Sequence, residues 1–249
     1  MRNLKLILAY DGTDFAGWQI QPEAPTIQGI LASAIGRLTG EKVLPQGSGR
    51  TDAGVHAARQ VATFVTKSAI PTENFLKALN AILPTTIRVL EVAEAPPEFH
   101  ARKSARAKTY CYRIFRGGIC PPFVARYVWH YPYPLDEEAM QKAANEIVGE
   151  HDFTSLAASD PERGKPETAS NVRCVYSSQW ERVGDEFQYR VRGNGFLHHM
   201  VRNLVGTFIL VGKGTLESGG VGGILQARDR SAAGATAAAS GLHLMDVEY

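Results

Sequence analysis

Cysteine is scarce in this chain, and its spacing argues against the sites that cysteine usually builds. The three cysteines, Cys111, Cys120 and Cys174, form no Cys-x-x-Cys pair. This spacing is typical of neither a disulfide framework nor a structural zinc site. We therefore expect reduced cysteines with structural roles.

Long apolar runs are also missing, although the chain has 249 residues, of which 44% are hydrophobic and 21% charged. No run approaches the roughly 20 apolar residues that a membrane-spanning helix requires. In MRNLKLILAYDG, an acid and a glycine follow the short apolar run without a small-residue cleavage site. We interpret this run as a first strand and predict a cytoplasmic protein with no membrane partner.

Acidic residues are absent from one long stretch of the chain. There is no Asp or Glu between Phe99 and Leu135, although the formal net charge of the chain is only +2. The basic residues of this stretch, the basic segment, are Arg102, Lys103, Arg106, Lys108, Arg113, Arg116 and Arg126. They form either a solvated face or a surface that binds phosphates by releasing counterions. The charge pattern leaves both interpretations open.

The hydrophobic pattern of the first half predicts the order β-α-β-α-β. Apolar residues recur at helical spacing over residues 26–38, where Thr26 can cap the helix and Gly40 can end it. A second helix is expected between a Thr72 cap and Pro84. Strands are expected at residues 4–10, in QVATFVT (60–66) and in IRVLEVAEA (87–95).

The second half repeats this order loosely. We expect KTYCYRIF and GLHLMDVEY to be strands, and VRCVYSSQWERVGDEFQYRVRG to be two strands joined at Gly184-Asp185. We expect helices at residues 136–148 and in HHMVRNLVGTFILVG. Residues 161–168 and 214–223 are expected to be loops, with helix beyond the second. We predict an α+β fold in which two similar ferredoxin-like halves, residues 1–104 and 105–249, share one mostly antiparallel sheet with a catalytic cleft.

The loop GSGRTDAGVHA, residues 47–57, carries an isolated carboxylate. Asp52 is the only acidic residue between Glu41 and Glu73, and the glycines of the loop permit sharp turns and the close approach of a large ligand. Asp52 either caps a turn or acts as a reactive group on a loop between a helix and a strand, where catalytic residues often lie.

Two histidines, His198 and His199, raise the question of a metal site. Adjacent residues point about 100° apart on a helix, and no carboxylate stands three or four residues further on. We predict no metal.

Aromatic and basic side chains of the second half are further candidates for a site. Tyr110 and Tyr112 fall on one face of the strand KTYCYRIF, where a ring either stacks on a nucleobase or packs in the core. We expect at least one of them in the core. Arg202 lies beside Asn203 in an apolar helix and requires a partner, because a buried unpaired charge is costly. Asp52 is a candidate partner.

Four motifs in order carry a resemblance to a known family. YDGTDFAGWQIQ, GRTDAGVHA, KTYCYRI and GFLHHMVRNLVG closely resemble the TruA family of tRNA pseudouridine synthases, and FHARKSA, EHDFTSL and the NVR of residues 171–173 extend the similarity over nearly the whole chain. The resemblance implies the pseudouridine synthase fold. It also implies a homodimeric isomerase without cofactor, which converts uridine to pseudouridine at positions 38, 39 and 40 of the tRNA anticodon arm.

The resemblance also implies roles for single residues. Asp52 matches the catalytic aspartate, Tyr110 the tyrosine that stacks on the target base, and Arg202 the arginine paired with the aspartate. Arg50 matches an arginine at the mouth of the site, and His56 is expected to contact RNA.

The basic segment is expected to bind tRNA phosphates, with Arg102 and Lys108 among the contacts. The chain departs from the family pattern at Lys103, where an aromatic residue is frequent, and in AAGATAAAS before Gly241, which lacks the usual prolines.

The implied reaction suits a single carboxylate. Pseudouridylation breaks the N1–C1′ bond and rejoins the base through C5, so no cofactor is required. The acid either attacks C1′ or the base as a nucleophile, or removes the C2′ proton to give a glycal. A glycosidase would normally need a second carboxylate. A noncatalytic RNA-binding module remains the alternative; it accounts for the basic segment, but an idle acid would repel phosphate.

Overall fold

The computed structural model describes residues 1–159 and 170–249, so the loop expected at residues 161–168 lies outside the described residues. Internal contacts divide the chain into two compact units: unit 1 contains residues 1–106 and 243–249, and unit 2 contains residues 107–242. Residues 243–249, which the sequence-based division placed in the second half, cluster with unit 1.

The described residues form ten strands and six helices, with short 3-10 turns between some of them. The strands are β1 (Arg2–Tyr10), β2 (Gln46–Gly47), β3 (His56–Thr66), β4 (Ile87–Ala95), β5 (Ala107–Phe115), β6 (Trp129–His130), β7 (Gly149–Asp152), β8 (Val172–Val183), β9 (Glu186–Gly193) and β10 (Leu242–Glu248). The helices are α1 (Ile27–Thr39), α2 (Thr72–Ile82), α3 (Pro122–Ala125), α4 (Glu137–Asn145), α5 (Met200–Gly212) and α6 (Val221–Ala227).

The sheet of unit 1 has the strand order β4-β1-β3-β10. Strand β1 is antiparallel to both β3 and β4, and the short β2 is antiparallel to β3. Strand β10 runs parallel to β3, with His243 opposite His56. This arrangement places the loop that carries Asp52 directly before the central strand β3.

The sheet of unit 2 has the strand order β5-β9-β8-β7, and these neighbours are antiparallel. The short β6 is parallel to β5. Part of its core is a cluster of aromatic rings in which Trp180 stacks on Phe187 at a centroid distance of 4.5 Å and also contacts Tyr189 and Phe208. The predicted α+β class with mostly antiparallel strands is confirmed.

Two predicted helix ends of α1 are confirmed by their capping geometry. The Thr26 side chain accepts a hydrogen bond from the Gly29 N–H, and Gly40 adopts the left-handed conformation with φ of 72°. A residue with no Cβ adopts that conformation without strain, so glycine ends the helix there.

Other boundaries differ from the sequence-based prediction. Pro71, not Thr72, occupies the N-cap of α2, and Thr72 is the first helical residue. Helix α4 ends at Asn145, short of the predicted Val148. Helix α5 begins at Met200, so the two histidines predicted to lie on it precede it. At least one of Tyr110 and Tyr112 was expected in the core, and both are buried, Tyr112 completely.

Candidate active site

Asp52 lies on a tight turn between β2 and β3 in unit 1. The Asp52 carbonyl accepts a hydrogen bond from the Val55 N–H at 3.1 Å, and Gly54 within the turn has φ of 77°. Thr51 and Val55 on either side are buried, whereas Asp52 is only half-buried. The turn therefore anchors the backbone on both sides of a carboxylate that is partly open to solvent.

A second loop, residues 11–18, packs against this turn. The Trp18 N–H donates to the Thr51 carbonyl at 3.0 Å, and the Gly54 N–H donates to the Phe15 carbonyl at 3.3 Å. A Cβ at Gly17 would lie 2.6 Å from the Thr51 oxygen, and one at Gly12 would lie 2.0 Å from the Val55 oxygen. The glycines in YDGTDFAGW thus allow two backbones to approach each other closely.

His56, the last predicted RNA contact on this loop, is only 2% exposed. Its Nδ1 accepts a hydrogen bond from the Gly12 N–H at 3.1 Å and lies 3.3 Å from Asp11 Oδ1. Its ring stacks on His243 at a centroid distance of 4.8 Å. These contacts give His56 a packing role within unit 1, and its contact with RNA stays a prediction.

Two predicted RNA-binding arginines of unit 1 are exposed. Arg50 precedes the turn, and its Nε donates to Gln19 Oε1 at 3.1 Å. Arg102 follows Ala101, whose N–H is held by Thr63 Oγ1 at 3.2 Å, and the Arg102 N–H donates to His100 Nδ1 at 3.0 Å. Arg50 is thus restrained through its side chain, and Arg102 through its backbone.

In unit 2, the tyrosines of β5 differ in burial. Tyr110 lies opposite Val191, is 8% exposed, and meets the Phe196 ring edge-on at a centroid distance of 5.1 Å. The Tyr112 hydroxyl donates to the Ala238 carbonyl at 2.7 Å, and burial raises the pKa of this tyrosine well above its usual range. Lys108, partly exposed, lies two residues before Tyr110 on the same strand.

Arg202 lies near the start of α5 and is half-buried. Its Nε donates to the Ala237 carbonyl at 2.8 Å, and the Ala237 N–H returns a bond to the Arg202 carbonyl at 3.2 Å. A Cβ at Gly206 would lie 1.7 Å from the Ala235 oxygen, so the segment 234–237 runs close against the helix. The proline-free AAGATAAAS segment therefore sets the orientation of the Arg202 guanidinium.

The histidine pair is arranged differently from its prediction. The His198 and His199 ring centroids are 4.0 Å apart, and His199 has a left-handed φ of 59°. The angular separation expected on a helix does not apply, because α5 begins after both residues. The absence of a bound metal stays a prediction.

The sequence reasoning missed a buried polar group beneath the Asp52 turn. Gln60 is fully buried and bonds to Ser48 and to the Gly49 carbonyl, both on the loop that carries Asp52. Its signal in the sequence was a polar residue next to the apolar strand sequence VATFV. A buried amide is costly unless it is hydrogen-bonded, so such a residue indicates a built network.

Comparison with known proteins gives the class of the molecule. The sequence model of the family described as tRNA pseudouridine synthase matches residues 6–102 and 143–249, which include Asp52 and Arg202. The chain therefore belongs to the tRNA pseudouridine synthase family, a family of isomerases. The resemblance seen in the motifs is confirmed.

Similar proteins carry a more particular name. The chain is 50% identical over 249 residues to "tRNA pseudouridine synthase A" of Solibacter usitatus, covering 100% of both chains. It is 45% identical over 249 residues to the protein of that name from Brevibacillus brevis, again covering 100% of both. The Moorella thermoacetica protein is 46% identical over 248 residues, covering 99% of both. No helix in the described part of the chain is long and apolar enough to cross a membrane.

Proposed function

We propose that this protein isomerises uridine to pseudouridine at positions 38, 39 and 40 of the tRNA anticodon arm. Family membership supports the reaction. The observation that supports the site is the half-buried Asp52 on a turn whose neighbours are buried and hydrogen-bonded. A group that reacts with a ribose requires this combination of a restrained backbone and an accessible carboxylate.

In the proposed reaction Asp52 begins the cleavage of the N1–C1′ bond. As a nucleophile at C1′, the carboxylate forms an ester while the uracil leaves with the electron pair on N1. As a base, it removes the C2′ proton to give a glycal, and the same bond breaks. In both routes the base rotates and C5 bonds to C1′. In the first route the ester bond from C1′ breaks and its electron pair returns to the carboxylate; in the second the acid returns the proton to C2′. The C5 proton then passes to water while N1 is protonated. Atoms balance without a cofactor.

Tyr110 and Arg202 complete the proposed catalytic set. The Tyr110 ring stacks on the uracil, and its hydroxyl serves as a base for the C5 proton. Arg202 pairs with the Asp52 carboxylate and fixes its position. The bond from Arg202 Nε to the Ala237 carbonyl supports this role, because it restrains the guanidinium.

The proposed substrate must be unstacked before it reacts. Flipping a nucleotide costs a few kcal/mol, which stacking and phosphate contacts offset. We place the phosphate contacts on the basic segment, with Arg50, Arg102 and Lys108 among them, and His56 near the RNA. The proposal includes a homodimer, located in the cytoplasm and acting without metal.

Mapping of pseudouridine in unmodified tRNA transcripts tests this function. After incubation with the wild type, carbodiimide-dependent stops of reverse transcriptase are expected at positions 38, 39 and 40. Asp52→Asn is expected to give no stops and to bind tRNA within a few-fold of the wild type, because the amide is isosteric but neither ionised nor nucleophilic.

Other outcomes of this experiment would contradict the proposal. Free uracil in solution would indicate a glycosidase, whereas tight binding by the wild type without any modification would indicate a noncatalytic RNA-binding module. Wild-type modification by Asp52→Asn would remove Asp52 from the reaction.

A further inference from the structure

A buried hydrogen-bond network lies beneath the Asp52 turn in unit 1. The Gln60 network consists of the side chains of Tyr10 at the end of β1, Ser48 and Thr51 on the loop, and Gln60 on β3. All four are buried, with exposed fractions between 0% and 6%. It connects two strands of the sheet to the loop that carries the proposed catalytic carboxylate.

Gln60 is the centre of this network. Its Oε1 accepts hydrogen bonds from the Val61 N–H at 3.1 Å and the Ser48 hydroxyl at 2.6 Å. Because a backbone N–H is always a donor, the Val61 bond establishes which end of the amide is oxygen. The Gln60 Nε2 therefore donates, to the Gly49 carbonyl at 2.9 Å and to the Tyr10 hydroxyl at 3.4 Å.

The Tyr10 hydroxyl carries the network on to the Asp52 turn. Its oxygen accepts from Gln60 and lies 2.8 Å from Thr51 Oγ1, in a hydrogen bond in which either hydroxyl can be the donor. Burial raises the pKa of Tyr10 to about 12, so the hydroxyl remains protonated at neutral pH. The network thus ends in a bond to the residue immediately before Asp52.

Thr51 is held through its backbone as well as its side chain. Its carbonyl accepts the Trp18 N–H at 3.0 Å, while its hydroxyl is bonded to Tyr10. The backbone conformation of Thr51 determines where the next Cα–Cβ bond points, and this is the bond from which the Asp52 carboxylate extends. A misplacement of about 1 Å in a reacting group can cost roughly 100-fold in rate.

We propose that Tyr10 is a positioning residue for Asp52: its hydroxyl, oriented by Gln60, holds Thr51 and thereby sets the direction in which the carboxylate projects. This inference rests on the proposed role of Asp52 in uridine isomerisation. Tyr10 acts on the reaction through Thr51 and does not touch the uridine.

A matched control separates positioning from general stability. Tyr189 in unit 2 is also buried, and its hydroxyl is 2.8 Å from Ser178 Oγ, so Tyr189→Phe removes a bond of the same kind and length as Tyr10→Phe. The experiment compares these variants with Thr51→Val, Thr51→Ser and the Tyr10→Phe/Thr51→Val double variant. Each is assayed for single-turnover release of tritium from C5 of uridine in tRNA, for tRNA affinity and for thermal midpoint.

We expect Tyr10→Phe and Thr51→Val to slow single turnover about tenfold with tRNA affinity within twofold, since only the placement of the carboxylate changes. Thr51→Ser keeps the hydroxyl and should restore a rate near that of the wild type. The double variant should be no slower than the slower single variant, because each single change already removes the Tyr10–Thr51 bond. Tyr189→Phe should lower the thermal midpoint comparably and keep the wild-type rate.

Three results would overturn the inference: a wild-type rate in Tyr10→Phe, equal slowing by Tyr189→Phe, or slowing by Thr51→Ser as large as that by Thr51→Val. These results are distinguishable from a failure of the proposed function, in which the wild type itself would release no tritium.

Discussion

Two tyrosines show how the surroundings of a single residue decide its proposed part in the reaction. Tyr10 is bonded through its hydroxyl to Thr51 and Gln60, so its role is indirect. Tyr110 is held by the strand ladder of β5 and by its ring contact with Phe196. The same residue type is therefore proposed to position a loop in one case and to present a ring in the other.

The Tyr110 hydroxyl can be tested separately from its ring. Tyr110→Phe keeps the packing against Phe196 and removes the proposed base for the C5 proton. We expect tRNA affinity within a few-fold of the wild type but a slower single turnover, by roughly 10²-fold or more for the loss of a general base. Rates equal to those of the wild type would reduce Tyr110 to a stacking surface. Tyr189→Phe again serves as the control.

The burial of Tyr10 predicts a dependence of stability on alkaline pH. Its pKa is raised from 10.0 to about 12 in the folded state, so the unfolded chain loses this proton first as pH rises. The contribution of Tyr10 to the free energy of unfolding is therefore fully present below about pH 10. It is lost progressively up to about pH 12, at up to roughly 1.4 kcal/mol per pH unit.

Urea unfolding of the wild type and Tyr10→Phe between pH 9 and about 11 checks this prediction. The free energy of unfolding should fall less steeply in the variant, because phenylalanine does not titrate. Parallel curves for the two proteins would show that Tyr10 titrates at an ordinary pKa.

At the scale of elements, the contact between the 11–18 loop and the Asp52 turn depends on glycine. Gly17 has φ of 93° and no room for a Cβ, whereas Gly40 has φ of 72° and nothing within 4 Å of its Cβ position. Substitution by alanine strains the backbone at both sites, but it creates a clash with the Thr51 oxygen only at Gly17.

We therefore expect Gly17→Ala to lower the free energy of unfolding by about 1–3 kcal/mol more than Gly40→Ala, as overpacking does. It should also slow turnover, since the clash displaces the backbone at Thr51. Urea denaturation and single-turnover assays measure the two effects. Equal destabilisation by the two substitutions would mean that the loop moves away without cost.

Elements formed by interactions between residues close in sequence could be predicted, whereas elements that depend on distant residues could not. Helix α1 and the long strands have periodic patterns and local caps, so their positions agree with the sequence. The short β2, β6, β7 and α3 were missed because two to four residues carry no period. Thr72 was assigned as a cap because threonine suits that position, but the helix begins one residue earlier, after Pro71.

The residues of the candidate site also differ in whether the local sequence identifies them. Asp52 could be found because it is an isolated acid among glycines, a feature of the local sequence. The Gln60 network could not, because its bonds join residues up to 50 positions apart and depend on strand register. The histidine pair was placed on a helix by its apolar context, although both residues precede that helix and His199 has a left-handed backbone.

For the whole molecule, the structure refines the argument from the basic segment. Arg113 Nε donates to Glu186 Oε2 at 2.8 Å, and Arg116 Nε lies 3.6 Å from Glu137 Oε1. The positive charges of both arginines are therefore balanced by carboxylates within unit 2. Arg102 is exposed and Lys108 is partly exposed. The basic segment contains no acids of its own, but acids from elsewhere in unit 2 pair with two of its arginines. Fewer of its positive charges are therefore available to phosphates than the sequence indicated.

This difference predicts which residues affect the salt dependence of tRNA binding. Arg102→Gln and Lys108→Gln should each reduce the slope of log affinity against log salt by about 0.7–0.9, the value for one phosphate contact. Arg113→Gln should leave the slope unchanged. Binding isotherms at several salt concentrations measure the slopes; a larger change in Arg113→Gln than in the other two would contradict the assignment.

Release of tritium from C5 of uridine tests most directly whether this protein isomerises uridine in tRNA by means of Asp52. Unmodified tRNA labelled at uridine C5 is incubated with the wild type, with Asp52→Ala and with Asp246→Asn, a control that removes a carboxylate paired with Arg59 on the same unit. We predict release by the wild type and Asp246→Asn and none by Asp52→Ala. Release by Asp52→Ala, or tight tRNA binding without release by the wild type, would contradict the account.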